Sequence, residues 1–218
     1  MKKTILVAIL ALVTGLFSHH LSAQSAFGFN FNVASPQGAY AEHVTRPMGV
    51  TINFLKDNQK IKGLYYGVEV GVAMYAADEY EHEFEGKLIK LSEEDCYLSY
   101  AAVVRYHFRT QKILNPYLEG RVGGISYFST LLSNEKDFED QNKFYGSTFS
   151  YGFGGGLAVR LCEQVSLDLG LTKAYGLDTN YRSVEKTAPA ELKGNLDAGI
   201  KSSRTDFLNF KVGVLFGF

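Results

Sequence analysis

The feature that most constrains this chain is alternation. From residue 27 onward, large apolar side chains recur at every second position, a period that a strand satisfies and a helix does not. Phe27, Phe29, Phe31 and Val33 alternate with Gly28, Asn30, Asn32 and Ala34. The same zigzag runs through 50–54, 64–75, 98–108, 117–128, 148–161, 165–172 and 208–218. Most of these eight segments are ten residues or longer. Strands of soluble sheets are usually about 5–6 residues, whereas a tilted strand needs about 9–11 to cross a bilayer.

The second face of each zigzag is rich in Gly, Ser and Asn, with scattered charges of both signs. Such a face suits a narrow hydrogen-bonded lumen, with the apolar face turned to lipid. Connections alternate in length. Those at 35–47, 77–95, 129–146 and 176–205 are long, and those at 56–62, 109–115 and 162–164 are short. Outer-membrane barrels pair short periplasmic turns with longer extracellular loops. The expected fold is all-β, a transmembrane antiparallel up-and-down β-barrel of eight strands. Ten strands are the alternative, because 176–205 has room for a further hairpin.

The first residues read as an export signal. Lys2 and Lys3 precede an apolar run over 5–17, and Leu21-Ser22-Ala23 offers a cleavage site. The run is short for a membrane-spanning helix. A signal peptide is therefore expected over 1–23 and a barrel domain over 24–218. Cleavage would remove two of 22 basic residues and leave the 23 acidic ones, so 20 − 23 gives a net charge of −3. That balance gives no field for a nucleic-acid partner. Cys96 and Cys162 fall at opposite ends of the expected barrel, so no bridge is predicted.

The last eight residues carry a motif. Lys211, Gly213, Phe216 and Phe218 fit polar-x-Gly-x-x-aromatic-x-aromatic. This resembles the C-terminal insertion signature of outer-membrane barrels. In pattern, the chain from 24 onward is similar to the small outer-membrane barrel family typified by OmpX and the OmpA transmembrane domain, and to the PorT-like barrel group. The resemblance implies insertion by the barrel assembly machinery into the outer membrane of a Gram-negative bacterium. It transfers no activity, because such barrels differ mainly in their loops.

Six charged residues have lumen parity: Glu69, Arg105, Glu119, Arg121, Arg160 and Asp168. A symmetric hairpin around 109–115 sets Arg105 opposite Glu119 and His107 opposite Tyr117, while Arg160 and Asp168 flank the 162–164 turn diagonally. Charges enclosed in a narrow barrel must be paired, because a lone buried charge is expensive. Eight strands leave an interior only just wide enough for side chains, which favours a salt-bridged plug over a charge-selective pore. His43 and His82 have acids beside them (Glu42, Glu81, Glu83) in stretches read as loops, His107 lies toward the periplasmic end, and no His-x-Ser pattern is present, so no catalytic site and no cofactor are expected. The acidic run over 77–95 reads as a solvated charged loop. Its sharper alternative is a divalent-cation site on Glu81, Glu83 and Glu85, since hard cations take several carboxylates. Gly152, Gly154, Gly155 and Gly156 lie inside a strand, not before a helix, and make room for side chains opposite. Lys173 has lipid-facing parity and lies close enough to the outer interface to snorkel. The expected role is a non-enzymatic, monomeric envelope or surface-interaction protein in contact with outer-membrane lipid and lipopolysaccharide. Its rivals are a narrow channel or secretion-related component and a lipid-modifying enzyme.

Overall fold

A bilayer core offers backbone groups no water, so spanning strands must pair on both edges, and a closed sheet is the only way to leave no edge free. The computed structural model describes residues 25–84, 87–108, 113–133, 143–182 and 200–217. The expected signal peptide over 1–23, together with Glu85 and Phe218, lies outside the described residues.

Ten strands follow in chain order: β1 (Ser25–Pro36), β2 (Met48–Asp57), β3 (Leu64–Phe84), β4 (Lys87–His107), β5 (Leu114–Ser133), β6 (Lys143–Cys162), β7 (Val165–Gly176), β8 (Asp178–Arg182), β9 (Ile200–Arg204) and β10 (Phe207–Phe216). One short helix, α1 (Tyr40–His43), sits between β1 and β2. Eight strands close a barrel in the order β1-β10-β7-β6-β5-β4-β3-β2, and each adjacent pair is antiparallel. β8 and β9 pair only with each other. The barrel therefore has eight strands, and the β8–β9 pair within 176–205 is not part of its closed ladder.

Alternation assigns the two faces. Phe29, Val70, Phe153 and Val212 point outward and are exposed, while Asn30, Glu69, Asp168 and Lys211 point inward and are buried. Phe153 is 61% exposed and Leu215 is 0% exposed. Several inward glycines are required by the tight curvature: a Cβ on Gly67 would collide with the Phe54 carbonyl oxygen, and one on Gly123 with that of Tyr100.

The long connections differ from the expected loops. Residues over 77–95 are not a loop, because β3 and β4 stay paired from Ala76↔Asp95 up to Phe84↔Lys87. β5 likewise follows β4 up to Ser133↔Leu91. The hydrogen-bonded ladder continues past the point where the sequence alternation stops. Cys96 and Cys162 are free thiols at opposite ends of the wall.

Candidate functional site in the barrel lumen

Inward side chains of several kinds fill the lumen. At the short-turn end, Ala26, Leu55, Ala101 and Val103 pack together with Tyr65 against them. His107 sits between the rings of Tyr65 and Tyr117, 5.2 Å from each. This is a buried, packed histidine, not one presented to a substrate.

Level with this cluster lies a charged network, since Ala101 pairs with Glu69 and Val103 with Arg121. Register places Arg105 opposite Glu119. The Arg105 guanidinium donates through Nε and Nη2 to Glu119 Oε2, at 2.9 and 2.7 Å. It reaches across to Asp168 Oδ2 at 3.2 Å and covers the Tyr117 ring, 4.2 Å from its centroid. The Tyr117 hydroxyl donates to Asp168 Oδ1 at 2.7 Å. Arg121 pairs with Glu69 at 2.9 Å. Lys211 donates to both Glu119 oxygens at 2.9 Å and lies 3.9 Å from Glu69. The cations Arg105, Arg121 and Lys211 thus balance the carboxylates Glu69, Glu119 and Asp168. Gly156 and Gly170 open the space filled by the Tyr117 ring and the Lys211 stem.

Five of the six sequence-derived lumen charges meet in this network. Arg160 stands at the rim, partly buried, opposite Ser166 and beside the irregularity before Cys162. It joins none of the ion pairs above. Lys211 is the member that the sequence places elsewhere, in the C-terminal motif. Its parity with Asn209 and Gly213 was the available signal. Of that motif, Gly213 faces the lumen beneath the Asn30 amide and Phe216 faces outward.

Polar side chains stand beside these charges in register, Asn53 opposite Glu69 and Asn32 opposite Lys211. Asn32 donates to Thr51 Oγ1 at 3.0 Å. The side-chain amides of Asn30 and Asn53 lie over Gly213 and Gly28 and have no hydrogen-bond partner among the described residues. Asn32, Thr51, Ser99, Arg121 and Asn209 border a void of about 20 Å³, enough for a single water.

The long-loop end is sealed by aromatic rings. Tyr40 of α1 packs edge-on against Tyr181 at 4.8 Å and Tyr127 at 6.4 Å. Tyr75 and Tyr97 flank Tyr127 at 6.2 and 5.9 Å. The Thr45 hydroxyl ties the α1 connection to the Tyr75 carbonyl. The β8–β9 hairpin is held to β6, since Thr179 donates to the Ser147 carbonyl at 3.1 Å and Thr148 to that of Leu177 at 3.1 Å. Burial holds the Tyr40 hydroxyl well above its ordinary pKa, reinforced by the neighbouring Tyr127.

Among the described residues no group of three His, Cys, Asp or Glu side chains could hold a metal ion. Glu81 and Glu83 take β3 positions opposite Lys90 and Leu88. His43 ends α1.

The sequence matches no family model and no curated protein. Among solved structures, the chain is similar to Neisserial surface protein A, with 14% identity and a TM-score of 0.59 over 90% of this chain and 98% of that one. Looser matches are outer membrane protein W of E. coli (11% identity, 91% of this chain and 100% of that one, TM-score 0.41) and OprG of Pseudomonas aeruginosa (14%, 88% and 95%, 0.40). At such identity the likeness is one of fold. The exposed apolar wall and the closed sheet make this an integral barrel of the outer-membrane kind.

Proposed function

We propose that this protein is a non-conducting, non-enzymatic outer-membrane barrel whose work is done by the structures rising from its long-loop end. The observation that supports this most directly is the filled lumen. An apolar cluster, a neutral salt-bridged network, buried amides and a tyrosine cap occupy it. A pore needs a continuous hydrated path, and these groups would have to move to open one. The rim invests instead in length, since β3 and β4 run on as a paired hairpin well past the last β2 partner of β3, Met74. In this reading the short turns face the periplasm and the hairpins face outward.

Two measurements test it together. In planar bilayers the purified barrel should give no sustained single-channel current; a stable open level would overturn the plug. In a background with Cys96 and Cys162 replaced by Ser, a membrane-impermeant maleimide should label Lys90→Cys on intact cells and spare Lys60→Cys at the opposite end. The reverse pattern would invert the orientation.

A further inference from the structure

At the long-loop end the apolar wall carries a cation that the plug does not use. Lys173 on β7 points outward between Leu171 and Tyr175. Its cross-strand partners are Phe153 and Leu208, both apolar. A lysine at mid-depth on a lipid face is costly and becomes tolerable only near the interface. Lys173 lies three residues below the end of β7, at the level where aromatic rings gather.

Those rings form a shaped bed. Tyr151 stacks on Tyr175 with centroids 5.4 Å apart and planes 20° apart. Phe153 lies 6.0 Å from Tyr175, and Phe149 lies 6.5 Å from Tyr151. The Lys173 ammonium hangs over the Tyr175 ring at 5.5 Å. It makes no ion pair with a carboxylate among the described residues. Asp206, just before β10, accepts the Gly176 amide at 3.3 Å. The patch therefore offers an uncompensated positive charge and two phenol hydroxyls at the interface, above a strip of Phe153, Leu171 and Phe210 that fits acyl chains.

From this we propose that Lys173, Tyr151 and Tyr175 form a seat for the phosphate of a phosphorylated outer-leaflet lipid. The ammonium pairs with the phosphate, the hydroxyls donate to its oxygens, and the lipid tails follow the apolar strip toward mid-membrane. The seat rests on the outer-membrane orientation proposed above, because only then does this end of β7 meet the outer leaflet.

The test uses the full barrel inserted in phosphatidylcholine nanodiscs doped with a phosphomonoester lipid, with retained lipid counted by native mass spectrometry. Lys173→Gln should lower the preference for the phosphomonoester lipid by about fivefold, the factor that one membrane-apposed lysine supplies. Lys56→Gln, which alters the outward lysine at the other end of the wall, should leave the preference intact, and Lys173→Arg should keep most of it. Excess inorganic phosphate should not displace the lipid, since it lacks the tails. Equal retention by wild type and Lys173→Gln, or equal losses in Lys173→Gln and Lys56→Gln, would overturn the seat. Displacement by inorganic phosphate would overturn it as a lipid site. Failure of the wild type to insert with a heat-modifiable gel shift would sink the barrel reading itself, which separates the two failures.

Discussion

At the scale of single residues, neutrality of the lumen decides what each charge contributes. Glu119 is shared by Arg105 and Lys211, so removing it leaves two buried cations competing for fewer acceptors. Breaking a buried ion pair from one side typically costs about 3–5 kcal/mol, because the partner charge is stranded. Glu119→Gln and Lys211→Met should each destabilise the barrel on that order in reversible denaturant unfolding from lipid. The double variant restores charge balance and keeps the Arg105–Asp168 and Arg121–Glu69 pairs. Its loss should therefore fall clearly below the sum of the single losses; additive losses would mean that these charges do not act as one network. The Arg105–Glu119 contact could be read from the sequence, since a symmetric hairpin dictates it. The Arg105–Asp168 contact could not, because those residues are 63 positions apart and meet only once the sheet has closed. Lys211 shows how one residue serves two patterns: it fits a terminal motif in sequence and anchors the plug in space.

At the scale of elements, alternation locates strands only where one face meets lipid. It marks most of the wall over β1, β7 and β10, finds only 50–54 of β2, and stops short on β3, β4, β5 and β6. On β3 the sequence alternation gives way to a run rich in acids, with Asp78, Glu79, Glu81 and Glu83, while the paired ladder continues. The cap was equally hidden, because a four-residue helix with no side-chain cap has no periodicity to detect. Its anchor is Tyr40, buried against the rings of Tyr127 and Tyr181. Burial raises the Tyr40 pKa above the ordinary 10.0, and that of Tyr181 moves the same way for the same cause. A neutral phenol is thus favoured in the folded cap. The stabilisation is complete below pH 10 and drains away as the pH climbs through the raised folded-state value. In a spectrophotometric titration of the native barrel, Tyr40 should resist ionisation until well above pH 10. Tyr40→Phe should remove one late-titrating phenol, and a titration in which every phenol ionises near 10 would contradict the sealed cap.

For the whole molecule, the decisive question is which face meets lipid. A soluble barrel would bury Phe29, Val70, Phe153 and Phe210 and hydrate Glu69, Glu119 and Lys211, yet here the apolar set is exposed and the charged set enclosed. In water that arrangement would present a continuous apolar surface far larger than soluble proteins tolerate; in a bilayer it is the stable one. The chain has no Trp, so a single introduced indole reports its surroundings without background. Phe153→Trp and Phe210→Trp, on the outer wall, should be strongly quenched by lipids brominated along their acyl chains. Tyr97→Trp and Tyr117→Trp, both inside the lumen, should keep their fluorescence in the same vesicles. A wall 61% exposed at Phe153 and a lumen packed around Tyr117 allow only that ordering of the four signals. If the inner indoles were quenched as strongly as the outer ones, the assignment of faces would fail, and with it the plug, the cap and the lipid seat that depend on it.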